Sequence, residues 1–295
     1  MVKTHMLKID LSKCTKCGSC ERVCPGYVIE VEDSGAVDKY PEDCIDCGHC
    51  VAVCPANAII NERMDQAGFP DIEDPGITFD AFNHLARNRR STRRFKKEPV
   101  SQADMEKILE SVRYAPTGQN AQELEYLVIN DPARIAMIRE AMAKQFKMLQ
   151  SLLKYLYGVA VLALGKKEAR SYKSSLARTM ANWAKGREAG EDPFLRTAPT
   201  ILVIHSGEKT FMVKTDAGIA GYHVMLAAET LGIGTVWLGF HQVFCGMMGS
   251  MRKVSLVPKG HAVLASIGLG YPAIKYKRNV YRRPVKSRIV GSGET

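Results

Sequence analysis

Eight of the nine cysteines fall into two copies of one string, "CTKCGSCERVCP" at 14–25 and "CIDCGHCVAVCP" at 44–55. Each copy reads C-x2-C-x2-C-x3-C-P. Three thiolates spaced so closely wrap three irons of one cube, and Pro25 and Pro55 end the wrap and turn the chain. The chemistry that this spacing serves is thiolate ligation of [4Fe–4S] clusters and the passage of single electrons. Gly18 and Gly48 lie inside the strings, where backbone has to pass close to a cluster. Disulfides fit poorly, because C-x2-C-x2-C makes paired geometry awkward. Structural zinc takes two separated cysteine pairs, not four cysteines in one run closed by proline.

The run resembles that of the two-cluster bacterial ferredoxins, and the resemblance covers about residues 1–62. In that pattern each string gives three ligands to one cluster and its fourth cysteine to the other. Cys14, Cys17, Cys20 and Cys54 are then expected around one cluster, and Cys44, Cys47, Cys50 and Cys24 around the second. Two such clusters relay electrons and catalyse nothing, so the catalyst has to be sought downstream.

A second candidate site is "RRSTRRF" at 89–95. Four arginines and two hydroxyls within seven residues suit a phosphate, through guanidinium forks and hydroxyl donors. A solvated basic face is the plain alternative. Of the other motifs, "GIGTVWLG" offers Gly232, Gly234 and Gly239, but Trp237 stands where a dinucleotide fingerprint needs its third glycine. Cys245 reads as a buried thiol, and His205, His223, His241 and His261 as core or surface histidines.

The elements that must position these residues begin after a linker. Residues 64–78, "MDQAGFPDIEDPGIT", are rich in Pro, Gly and Asp and lack periodicity. They separate an expected cluster unit, 1–63, from a larger unit, 79–295. Ser101 to Asp104 reads as a helix start, with Met105, Ile108, Leu109 and Val112 on one face. "LEYLVIN" at 124–130 reads as a strand, and Asp131–Pro132 opens another helix. "ILVI" at 201–204 is a buried strand, and 217–231 an apolar helix closed by Gly232. "TVWLGF" at 235–240 and "HAVLASIGLG" at 261–270 are further strands. Irregular alternation of this kind predicts a helix-flanked sheet.

"RRSTRRF", then a helix, then "APTGQNAQ" at 115–122, then a strand, resembles the opening of the FMN-dependent nitroreductase family. "DAGIAGYHVMLAAETLGIGTVWLG" at 216–239 resembles that family's central helix and following strand. "IGLGYP" at 267–272 with "YRRPV" at 281–285 resembles its C-terminal signature. The resemblance covers roughly 79–290 and implies an α+β fold, a three-layer domain with a helix-flanked mixed sheet, in a homodimer with FMN at the subunit interface. By motif position it implies that Arg89, Arg90 and Ser91 hold the phosphate, with Arg282 closing on it, and that Arg93 lies near the flavin pyrimidine. There a fixed cation stabilises the reduced anion. It also implies that Pro116, Thr117, Gly118 and Asn120 line the isoalloxazine. Backbone amides around Trp237, Leu238 and Gly239, with Thr235 close by, would face its reactive N5 edge. The chain departs from the family where Gln122-Glu123-Leu124 replaces a frequent Gln-Pro-Trp. Residues 140–197 match no motif and read as helical packing or as a lid or insert over the flavin.

The net charge of +10 is divided unevenly. Residues 1–80 hold seven Lys/Arg against fifteen Asp/Glu, a balance of −8, which leaves +18 for the rest. Opposite charges of this size favour docking of the acidic unit on the basic one. Nucleic-acid binding is disfavoured, since no stacking-aromatic or helix-turn-helix motif accompanies the basic residues. The most apolar run, "YLYGVAVLALG" at 155–165, is too short to span a bilayer, and the first residues do not read as a signal peptide. Cytoplasmic residence with no membrane span is the expectation. Two functions follow. One is an oxidoreductase that takes electrons from a low-potential donor such as a ferredoxin and reduces a small organic acceptor. The other is an electron-transfer module serving a protein partner.

Overall fold

The computed structural model describes residues 7–164, 181–189 and 191–291, and the side chains of these residues outside 149–164. Of the expected insert at 140–197, residues 165–180 and 190 lie outside the described residues.

The cysteine unit is built on a repeat. Strand β1 (Leu7–Ile9) pairs antiparallel with β4 (Ile59–Asn61), which ties the two ends of the unit together. Between them lie helix α1 (Ser19–Val23), the hairpin β2 (Ile29–Glu32) and β3 (Gly35–Asp38), and helix α2 (His49–Ala52). Positive φ angles recur in register: Lys16, Gly18 and Tyr27 in the first copy, Asp46, Gly48 and Asn57 in the second. The apolar centre is small. Leu7, Val28, Ile29, Ala36 and Ile59 pack against the cysteines themselves. A unit this short buries too little apolar surface to be stable on packing alone, so clusters are expected to complete its core.

Past a largely exposed linker the larger unit contains α3 (Phe79–Asn88), α4 (Gln102–Val112), β5 (Glu125–Ile129), α5 (Pro132–Leu164), α6 (described over 181–188), β6 (Thr200–Ser206), α7 (Val213–Thr230), β7 (Gly234–Trp237), α8 (Gly239–Met247), α9 (Gly249–Val254) and β8 (Ala262–Gly270). The strands order β5-β6-β8-β7, and all three pairings are antiparallel. The mixed character of the sheet comes from one parallel bridge, Ser91 to Thr235, on the β7 edge.

Strand β6 explains the three layers. All seven of its residues are buried, as a continuous apolar run requires of a central strand. Ile201 and Val203 pack with Ile138 and Met142 of α5, Phe244 of α8 and Met251 of α9. Leu202 and Ile204 face the other way, onto Ile108 of α4 and Ala220 and Val224 of α7. Helix α4 starts as its sequence predicts: the Asp104 N–H donates to Ser101 Oγ at 3.1 Å. The expected strand at 235–240 is shorter than its apolar pattern, because Gly239 already opens α8. The expected helix at 217–231 starts one turn earlier, at Val213. Gly232, at φ +71, then reverses the chain into β7. Among the described residues no helix is long and apolar enough to cross a membrane; the run from residue 155 to 164 belongs to α5.

Candidate functional site

The two sets of four cysteines expected from the strings each surround one small cavity. Cys14, Cys17, Cys20 and Cys54 line the first, and Cys24, Cys44, Cys47 and Cys50 the second. The fourth cysteine of each string is treated alike: the Val28 N–H lies 3.2 Å from Cys24 Sγ, and the Ala58 N–H lies 3.2 Å from Cys54 Sγ. Such N–H···S bonds draw charge off a ligating sulfur and tune its cluster's potential. The surroundings of the other thiols differ. The Ser19 hydroxyl lowers Cys17, which is exposed, to about 7, whereas burial and then Cys47 push Cys50 up to about 12. A half-buried thiol of the second kind gives up its proton most readily to a metal cation.

The arginine motif folds into a cradle at the β7 edge. Helix α3 starts at Thr78, whose Oγ1 accepts from the Ala81 N–H at 3.2 Å, and delivers Arg89 at its end. The Thr92 N–H donates to the Thr235 carbonyl at 2.8 Å, which continues the Ser91–Thr235 bridge and presses the motif onto the sheet. Gly234 has to be glycine, because a Cβ there would collide with the Thr92 side chain. The C-terminal tail folds back over this edge, where Asn279 Oδ1 accepts from Arg90 Nη2 at 2.5 Å. Arg89, Arg90 and Arg282 share a cleft of about 560 Å³, and Arg90 and Thr92 also line one of about 410 Å³. Arg89 Nε and Nη1, Arg90 Nε and Thr235 Oγ1 are buried without a hydrogen-bond partner among the described residues. Buried donors of this kind are costly unless satisfied, and an oxygen-rich anion such as a phosphate would satisfy them.

Arg93 is not drawn into the cradle. It is exposed, donates to the Ser91 carbonyl at 3.3 Å and lies near Arg196, whose ordinary value it helps depress after burial. Of the three amides expected at a reactive edge, that of Leu238 is committed to the sheet, donating to the Ser266 carbonyl at 2.7 Å. Trp237 lies over Gly221 of α7, and its Nε1 donates to Gln242 Oε1 at 2.9 Å.

The loop of Pro116, Thr117, Gly118 and Asn120 stands elsewhere. The Gly118 N–H donates to both carboxylate oxygens of buried Asp216, at 3.1 Å each, near the start of α7. The arginine cradle adjoins Glu229, near the end of α7: burial raises that carboxyl, and Arg89 and Arg90 oppose the rise. At about 1.5 Å per residue the two groups are about 20 Å apart along the helix. Gln119, Asn120 and Gln122 all take positive φ, which strains a loop that carries no glycine at those positions. The Asn120 side chain faces the cysteine unit. Its Nδ2 donates to the Ile45 carbonyl at 3.2 Å and to the Asp46 carbonyl at 2.7 Å, both inside the second string. Gln122 Nε2 donates to Asn120 Oδ1 at 3.0 Å and orients the amide. The string side is held by Arg63 and Asn61, which both bind the Asp46 carboxylate. No sequence signal marks this contact, because an asparagine tied to a carbonyl is indistinguishable from any loop asparagine.

Residues 86–271 match the model of the nitroreductase family, well over half of the chain. The chain belongs to the nitroreductase family. Residues 6–55 of this nitroreductase-family chain match a 4Fe-4S dicluster domain. An NADH dehydrogenase of Thermus thermophilus is 28% identical to it over 189 residues, 64% of this chain and 85% of that one. An iodotyrosine deiodinase of Thermotoga neapolitana is 27% identical over 152 residues, 52% of this chain and 70% of that one. Among solved structures, a nitroreductase with bound FMN from Bacteroides fragilis superposes with a TM-score of 0.51 at 20% identity, over 70% of this chain and 97% of that one. That likeness establishes the nitroreductase-like α+β fold for the larger unit.

Proposed function

We propose that this protein is an FMN-dependent oxidoreductase in which two [4Fe–4S] clusters pass low-potential electrons to the flavin, for the reduction of a small organic acceptor. Nitroaromatics, quinones, activated alkenes and haloaromatics are all within reach of a reduced flavin. The observation that carries the reading is the Asn120 amide, which joins the second cysteine string to the loop expected over the isoalloxazine. FMN, when bound, couples single-electron supply to two-electron reduction of the acceptor.

Arg89 and Arg90 are assigned to the phosphate on the strength of their partnerless buried donors, Arg282 because it shares their cleft, and Ser91 by its place in the same motif. Thr235, Trp237 and Gly239 are assigned to the ring edge, and Arg93 to the pyrimidine side. The separation of the 116–120 loop from the cradle supports a homodimer in which one copy supplies the phosphate site and the other the loop. Exposed apolar side chains support it as well: Phe79 and Phe82 on α3, and Tyr281, Val285 and Ile289 on the tail. In that arrangement the clusters of one copy serve the flavin whose phosphate the other copy holds. The insert contributes to the acceptor side, since the rings of Trp183 and Phe240 meet at 4.4 Å, beside Gly239.

Anaerobic turnover of an acceptor panel with reduced ferredoxin, against NADH and NADPH, tests the reading. Ferredoxin is expected to be the better donor, with both clusters cycling by EPR. Faster turnover with a nicotinamide while the clusters stay oxidised would overturn it. An inert panel with a competent flavin would favour delivery to a protein partner instead.

A further inference from the structure

Glu125, His205 and His261 belong to neither site above, yet they meet at one end of the sheet. Glu125 and His205 are direct cross-strand partners on β5 and β6, which places their side chains on one face. The β6–β8 register shifts between Ile204 and His205, and a bulge of this kind re-aims the side chain beside it. His261 immediately precedes β8. Its ring lies against Gly207, where a Cβ would come within 3.0 Å of Nε2, so a larger residue there would push the imidazole away.

The three donors converge. His205 Nδ1 is 3.0 Å from His261 Nδ1, which is 3.5 Å from Glu125 Oε1, and the three ligand atoms lie within 4.8 Å of one another. A simple hydrogen-bonded relay would use the two different nitrogens of His261. Here both contacts fall on Nδ1, which carries at most one proton. Ligand atoms bound at about 2.0–2.2 Å to a single ion stand about 3–3.5 Å apart at right to tetrahedral angles, which is the spacing of the two close pairs. His205 is only 4% exposed, so its ring is held in place by the packing around β6.

We propose that Glu125, His205 and His261 form a mononuclear site for a divalent d-block cation such as Zn²⁺, with at least one position open to water. Two imidazoles and a carboxylate are the donor set such ions take. The ion would pin β5, β6 and the start of β8 together where the 117–124 loop, the one that reaches the second cysteine string, enters the sheet.

The test uses cluster-loaded, full-length protein under anaerobic conditions, with Zn²⁺ as the probe. Calorimetric titration is expected to show one Zn²⁺ per chain. Zinc X-ray absorption should give a shell of nitrogen and oxygen only, at about 2.0–2.1 Å, where sulfur would appear at about 2.3 Å. His261→Gln and Glu125→Gln, both at partly exposed positions, should each weaken binding by at least about tenfold, the loss typical of disturbing even a ligand's support. His205→Asn provides the third arm, its folding checked by melting. Sulfur in the zinc shell, no stoichiometric binding, or unchanged affinity in the folded His261 and Glu125 variants would each overturn the site.

Discussion

In the cysteine unit all eight expected ligands come from two strings with the same internal spacing, and the second copy repeats the backbone angles of the first. In the arginine cradle the partners come from the end of α3, the start of β7 and the tail; the Arg90–Asn279 bond alone spans 189 residues. The first site is local, and its metal is expected to be part of its folding. The second needs the sheet in place before it exists, because Ser91 and Thr235 meet only as neighbouring backbones. Loss of a ligand should therefore act differently in the two regions: in the first it removes a folding element, in the second only a binding contact.

The largest effect is expected from breaking a string. Cys17→Ser or Cys47→Ser should remove the corresponding cluster, with part of the local fold, since a small site's metal-binding energy is also folding energy. Ferredoxin-driven turnover should fall to background, while the FMN content of the larger unit stays near one per site. Iron and flavin analysis together with turnover checks this. Full ferredoxin-driven rates in folded, flavin-loaded but cluster-deficient protein would contradict the relay.

A smaller effect is expected in the cradle. Arg89→Ala should weaken FMN by tenfold or more, since a lost hydrogen bond to a charged group costs about 1.5–3 kcal/mol. Both clusters should remain. Arg93→Ala should leave affinity closer to wild type, because its side chain stands outside the cradle. Fluorescence titration of the flavin distinguishes the two, and equal losses would move Arg93 to the phosphate.

The larger unit also responds to acid through one buried histidine. The larger unit buries His241 completely between the hydroxyls of Ser266 and Ser255, at 2.8 and 2.9 Å, and burial lowers it to about 4. An unfolded histidine takes up its proton near pH 6.5, so the unfolded chain binds more protons between about 6.5 and 4. Stability should be fully present above that window and should fall as the pH drops through it, by up to about 1.4 kcal/mol per unit for this residue. His241→Gln should flatten the slope in melts of the larger unit. An unchanged slope would assign the acid sensitivity to other groups.

The same contrast governs what the amino-acid order discloses. The two groups of four cysteines are legible because thiolate spacing is a local requirement, and each group lines one cavity. The helix start at Ser101 and the buried run of β6 are legible for the same reason: each depends on neighbours three or four residues away, or on an unbroken apolar stretch. "RRSTRRF" shows its charge but not its burial, which comes from α7 and the tail. The Asn120 bridge and the histidine pair are silent, because both depend on contacts 56 to 75 residues apart between residue types that are common in loops. The strand expected at 235–240 overran for a related reason. Leu238 is as buried as Thr235 and Val236 of the strand before it, and the hydrophobic pattern cannot tell a strand's end from a helix's first turn.

At the junction between the two regions the kind of effect matters more than its size. The charge imbalance favours attraction between the units, yet the bridge itself is an uncharged amide donating to two backbone carbonyls. Hydrogen bonds between neutral groups contribute about 0.5–1.5 kcal/mol each and do not weaken with salt, whereas exposed charges are screened beyond about 10 Å at 0.1 M. Asn120→Ala should therefore slow cluster-to-flavin reduction by about tenfold in rapid mixing, the equivalent of losing both bonds. Asn120→Asp should slow it further, by placing a carboxylate against the same carbonyls. Raising ionic strength on the wild type should change the rate by only about a factor of two or three, the size expected of surface charge pairs. A strong salt dependence combined with a silent Asn120→Ala would mean that charge, not the amide, holds the relay in place. The reverse pattern would assign the large basic surface of the catalytic unit to recruiting the external donor.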